Sequence, residues 1–92
     1  MSVEKSSRVV DINVLFFAKS RELAKTSRAV FAVESVVIAV DLLKQLIDRF
    51  DLHTIGQSLI LAHNENYIDN LDEEIHLQQG DEIAVIPPIS GG

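Results

Sequence analysis

From Val9 to Phe17 the chain reads VVDINVLFF, and Val10, Ile12, Val14 and Phe16 alternate with Asp11, Asn13, Leu15 and Phe17. A period of two with β-branched residues predicts a strand. AKSREL, at 18–23, reads as a polar connection, and SRAVFAV, at 27–33, as a second strand, most simply the return arm of a hairpin. Beyond it, Val36, Val40, Leu43, Ile47 and Phe50 recur every three or four positions, while Asp41, Lys44, Gln45 and Asp48 fall on the other side. That spacing predicts a helix from a Ser35 cap to about Phe50. Gly56 marks a loop. SLILAHNENYID, at 58–69, reads as a strand, an asparagine-rich turn at Asn64 to Asn66, and a short strand. QQGDE is a second turn, with Gly80 free to take positive φ, and EIAVI is a final strand stopped by Pro87 and Pro88.

One helix laid across one mixed sheet accounts for this order, and gives the apolar helix stripe something to cover. The expected fold class is α+β: a β-grasp with a mixed sheet of about five strands and one main helix, the first and last strands central and parallel. Side by side, those two strands place Val14 and Phe16 toward the helix with Ile83 and Val85. Leu15 and Phe17 then face outward beside Ala84 and Ile86, an apolar patch of the kind that marks an interface. Lys19 and Arg21 flank the base of whatever follows the last strand.

Composition narrows the chemistry. The 92 residues, 47% apolar and 24% charged, suggest one globular domain. Cysteine is absent, which removes disulfides, thiolate metal sites and cysteine nucleophiles. His53, His63 and His76 have no metal-ligand spacing, so no metal site is expected. Phosphate-cradling glycine motifs and nucleophile elbows are missing too. No apolar run reaches the ~20 residues of a membrane helix, and MSVEKSSR lacks the apolar centre of a signal peptide, so a cytosolic, non-membrane protein is expected.

The net charge of −6 argues against a nucleic-acid partner. Its distribution is more informative: every Lys and Arg lies at or before Arg49, and eight acidic residues follow Phe50. An acidic half favours a basic partner surface, although it also serves solubility.

The chain closes on PPISGG. At an average glycine usage of about 7%, two terminal glycines are a roughly 0.5% coincidence. Residues 1–8 are expected to be a flexible leading segment, 9–88 the domain, and 89–92 an extended tail. Pro87 and Pro88 lock two φ angles and give the tail a rigid exit, Ile89 and Ser90 act as a spacer, and Gly91 and Gly92 can thread a narrow channel.

VLFFAKSREL near the start and QQGDEIAVIPPISGG at the end resemble the small, sulfur-carrying subunit of molybdopterin synthase, the MoaD type within the ubiquitin-like superfold. The resemblance spans about Val9 to Gly92, and its specific parts are Gly91-Gly92, Pro87-Pro88 and Gly80-Asp81-Glu82. Val85 and Ile86 stand where many bacterial members carry aromatic residues, which suggests a eukaryotic-like variant.

The resemblance implies that the Gly92 carboxylate is adenylated by an E1-like enzyme, carries AMP only transiently, and becomes a thiocarboxylate. The tail then enters the large, catalytic subunit and gives sulfur to cyclic pyranopterin monophosphate, in a heterotetramer with two large subunits. Leu15, Phe17, Lys19, Arg21, Ala84, Ile86 and residues Pro87 to Ser90 are the implied partner contacts, and Gly91 gives the reacting carbonyl access. The chain has no catalytic site of its own in this reading. Terminal Gly-Gly alone also fits carriers for thiamine or tRNA thiolation, a ubiquitin-like modifier, or a β-grasp interaction module that transfers nothing.

Overall fold

A computed structural model describes residues 7–88. The leading residues 1–6 and the tail residues Ile89, Ser90, Gly91 and Gly92 lie outside the described residues. Ser7 and Arg8, the last of the leading segment, are hydrogen-bonded: the Ser7 hydroxyl donates to Glu34 at 2.8 Å, and the Arg8 N–H donates to Ser35 Oγ at 3.0 Å.

The first strand, β1 (Val9–Phe16), pairs antiparallel with β2 (Arg28–Glu34), Ile12 standing opposite Phe31. Their connection, read from AKSREL only as a polar link, is a seven-residue helix, α1 (Ala18–Ala24). Only Ser20 of α1 is fully buried, so its sequence has no broad apolar stripe to read.

After β2 come β3 (Val36–Ile38) and the main helix α2 (Ala39–Phe50). The helix therefore begins three residues later than a Ser35 cap requires, with Ile38 in the cap position. Val36 to Ile38 are β-branched and pair with β6 (Glu74–His76) in a separate two-stranded sheet, Val37 opposite Ile75. Ser35 serves that junction instead, its carbonyl accepting from the Leu77 N–H at 2.7 Å. Two free N–H groups of the first helical turn are satisfied by loop carbonyls, Ala39 to Glu73 and Val40 to Leu71, both at 2.9 Å. The buried stripe is correspondingly rotated: Ala39, Leu42, Leu43, Leu46 and Phe50 are buried, while Val40 and Ile47 are half-buried.

A 3₁₀ turn at Gly56–Ser58 leads to β4 (Ile60–His63), β5 (Asn66–Tyr67), β6 and β7 (Glu82–Ile86). Gly56 sits where a Cβ would fall 2.7 Å from Ile47 Cδ1, which lets this loop close onto α2. The main sheet runs β2-β1-β7-β4-β5, with β1 and β7 parallel at its centre.

One face of this sheet meets α2. Ile12, Val14, Ile83 and Val85 are fully buried there with Phe16, whose ring stands 4.8 Å from that of Phe50 in an edge-on contact. Burial of this apolar set is the main term holding helix and sheet together.

The rotated helix stripe is testable. Leu46→Ala should destabilise the domain by about 2–5 kcal/mol, and Gln45→Ala by less than about 0.5 kcal/mol, in urea unfolding followed by circular dichroism. Equal effects would mean that the helix presents a different face.

Candidate functional site

The face of the sheet turned away from α2 is built by strand alternation. Leu15 stands opposite Ala84 in the β1–β7 ladder, Ala84 opposite Ala62 in the β7–β4 ladder, and Ala62 opposite Tyr67 in the β4–β5 ladder. Because neighbours in register point to the same side, these four residues form a row across the sheet. Phe17 and Ile86 close the row at the end where β1 and β7 both finish. The result is a concavity of about 280 Å³ with an apolar floor, rimmed by Glu65 and Glu82.

Phe17 and Tyr67 remain 47% and 66% exposed, large aromatic surfaces that nothing among the described residues covers. Tyr67 is brought in by a two-residue hairpin in which Asn64 and Glu65 have φ of 49° and 75°. Successive positive φ values give the primed turn that matches strand twist. The combination of aromatic floor and carboxylate rim suits a partner surface that is apolar at its centre and basic at its edge.

Of the partner contacts expected from the sequence, the structure brings Leu15, Phe17, Ala84 and Ile86 together in this concavity. Pro87 is half-buried and Pro88 exposed, at the same end of the sheet. Lys19 and Arg21 are exposed on α1 and do not line the concavity; Lys19 makes a surface ion pair with Glu22 at 3.6 Å. Ile89, Ser90, Gly91 and Gly92 lie outside the described residues.

Sequence reasoning missed five contributors: the rim carboxylates Glu65 and Glu82, and Ala62, Tyr67 and Ser20. Ala62 and Tyr67 were not assigned because the alternation of β4 does not say which strand it will pair with. Ser20 was passed over as part of a polar link. It is fully buried, accepts the Phe17 N–H at 3.0 Å, and points its hydroxyl at the carbonyls of Phe17, 2.7 Å away, and Val85, 3.0 Å away.

The opposite end of β7 is fastened by the Gly80-Asp81-Glu82 turn. Gly80 has φ +88° and donates its N–H to the Asp11 carbonyl at 2.8 Å. The Asp81 carboxylate accepts from His63 Nε2 at 2.8 Å, from the Gln78 N–H at 2.9 Å and from Asn64 Nδ2 at 3.2 Å. Burial opposes ionisation of Asp81, but the hydrogen bonds from His63, Gln78 and Asn64 and the charge of His63 outweigh it. The carboxyl therefore lies below its ordinary range. Asn64 Oδ1 also accepts the Glu82 N–H at 2.8 Å, which ties the β4–β5 hairpin to the start of β7.

Among the described residues, no cluster of three His, Cys, Asp or Glu stands close enough to hold a metal ion, and no helix is long and apolar enough to cross a membrane.

The model of the ThiS family matches residues 14–92. The chain is 61% identical over 84 residues to a molybdopterin synthase sulfur carrier subunit from Drosophila ananassae, covering 91% of this chain and 93% of that one. Among solved structures, the complex of subunits 1 and 2 of molybdopterin-converting factor from Helicobacter pylori contains a similar chain. It superposes with a TM-score of 0.58 at 25% identity, covering 90% of this chain and all of that one. The small archaeal modifier protein 1 from Methanosarcina acetivorans superposes with a TM-score of 0.71 at 26% identity, covering 92% of this chain and 99% of that one.

The Asp81 knot predicts a pH dependence. A carboxyl with a lowered folded-state pKa stabilises the fold above its unfolded value of about 3.9, and that contribution is lost as pH falls through the lower folded value. The urea midpoint should therefore fall between pH 5 and pH 2 (about the range in which a depressed carboxyl titrates). Asp81→Asn should be less stable than the parent at pH 7 and lose less over the acid range. Parallel acid limbs for the two proteins would remove Asp81 as the cause.

Proposed function

The chain belongs to the ThiS family, and on that premise we propose that it is the sulfur-carrying subunit of molybdopterin synthase. The observation that supports this most is the 61% identity to a named carrier subunit, over nearly the full length of both chains.

In this reading Gly92 supplies the reacting carboxyl. A carboxylate is a poor electrophile because it is anionic and resonance-stabilised. Transfer of AMP from ATP, with release of pyrophosphate by an E1-like enzyme, converts it to an acyl-adenylate. A sulfur nucleophile then adds to the carbonyl and AMP leaves, which gives a thiocarboxylate. This sulfur passes to cyclic pyranopterin monophosphate held on the large subunit. The absence of cysteine accords with that assignment, since no side-chain thiol competes as the bearer.

The outer face gives the large subunit a place to dock. Phe17 and Tyr67 are anchors of the type that dominate interface energies, and Glu65 and Glu82 select a basic rim. Pro87 and Pro88 limit the entropy lost as the tail enters its channel. Two carriers on a pair of large subunits make a heterotetramer, and a cytosolic setting suits this chemistry.

The archaeal modifier favours a second reading, in which the same terminus is conjugated to lysines or serves another thiolation pathway. The partner decides between them. Recovery of a molybdopterin synthase large subunit in a pull-down supports the first reading, and lysine adducts or a thiazole synthase support the second.

Purified from a host with the activating enzyme, the chain should show a sulfur-for-oxygen mass increment confined to Gly92. Deletion of Gly92, or extension beyond it, should abolish sulfur transfer and leave the circular dichroism spectrum unchanged. Transfer by the extended protein would refute the proposal. Phe17→Ala should weaken binding to the large subunit by about 10- to 30-fold, as expected for an aromatic anchor, measured by calorimetry.

A further inference from the structure

Ser20 is the one buried polar side chain among the described residues, and what it joins is specific. Its hydroxyl oxygen accepts the N–H of Phe17, and its single proton lies within reach of the Phe17 and Val85 carbonyls. Phe17 is the exposed aromatic of the outer face. Val85 precedes Ile86, which lines the concavity, and Ile86 precedes Pro87.

The β1–β7 ladder stops at this level, where Phe16 stands opposite Val85. Beyond it β1 turns away through Ala18, which has φ 51°, a left-handed conformation that L-alanine disfavours. The strained corner thus places α1 against β7 where strand pairing ends. Strain of this kind persists where surrounding contacts over-determine it, and it concentrates at sites of function.

On the sulfur-carrier reading, we propose that Ser20 is a positioning residue for sulfur transfer. Together with the left-handed corner at Ala18, it fixes the direction in which β7 ends, and so that of Pro87 and Pro88, relative to Phe17 on the docking face. The two prolines make that direction matter. With φ locked at Pro87 and Pro88, an angular error at Val85–Ile86 is not readily absorbed before the tail. A reacting carbonyl displaced by even an ångström reacts more slowly at unchanged occupancy. The role is therefore in rate, whereas Phe17 acts in binding.

The test uses full-length protein charged at Gly92 and mixed with saturating large subunit and pterin precursor. Ser20→Ala should slow single-turnover sulfur transfer about 3- to 10-fold, the loss of the hydrogen bond to Val85 expressed as a rate. Affinity for the large subunit should change less than twofold. Ala18→Gly adopts positive φ freely, so it should keep the urea midpoint of the parent and still slow transfer as the corner loosens. In the free proteins, residual dipolar couplings at Val85 and Ile86 should shift in both variants, while those of α2 stay fixed.

Parental transfer rates and unchanged couplings in both variants would overturn the proposal, even if Ser20→Ala lowers stability. If the charged parent itself gives no transfer, the sulfur-carrier reading fails. The couplings then judge separately whether Ser20 and Ala18 orient the end of β7.

Discussion

The parallel pairing of β1 with β7 is the constraint on which the other features of this molecule depend. It joins the first and last strands of the chain at the centre of the sheet, from Asn13 opposite Glu82 to Phe16 opposite Val85. Alternation then divides both strands between two uses. Val14, Phe16, Ile83 and Val85 go into the core beneath α2, and Leu15, Ala84 and Ile86 form the floor of the outer concavity. A slip of one residue would exchange these sets. The outer face and the core are therefore specified by the same register.

That register is fastened at both ends by different chemistry. At the start of β7, the Asp81 carboxylate collects donors from His63, Asn64 and the Gln78 backbone, and Gly80 bonds to Asp11. At its finish, the neutral hydroxyl of Ser20 meets the Val85 carbonyl in a site closed to water. A charged knot suits the half-exposed turn, where solvent still helps the carboxylate. A single hydroxyl suits the interior, where an ion would carry a heavy desolvation cost. Between the two, β7 is held at both ends.

Much of the fold was legible along the chain. The alternation of Val9–Phe17 and of Glu82–Ile86, the positive φ of Gly80 and the prolines after Ile86 all act within a few residues, and the structure keeps each of them. Misreadings arose where a partner distant in sequence decides. Val36 to Ile38 can continue a helical spacing, and only β6, arriving some forty residues later (about the separation from Val37 to Ile75), draws them into a strand. The start of α2 follows from this, because the carbonyls of Leu71 and Glu73 replace a side-chain cap. Helix α1 was hidden by its exposure, since a short surface helix has almost no apolar period to detect.

The candidate site divides in the same way. The sequence by itself carried the residue types on which the proposed chemistry rests: Gly91-Gly92 without side chains, Pro87-Pro88 with locked φ, no cysteine, and two strands whose alternate residues are apolar. These are properties of residue type and of short spacing. Tertiary structure alone decided that β4 lies beside β7, which brings Tyr67 and Ala62 to Leu15 and Phe17, and that Ser20 is buried against Val85. Strand adjacency and the burial of a lone hydroxyl depend on how distant segments meet, and neighbouring residues in the chain hold no record of that.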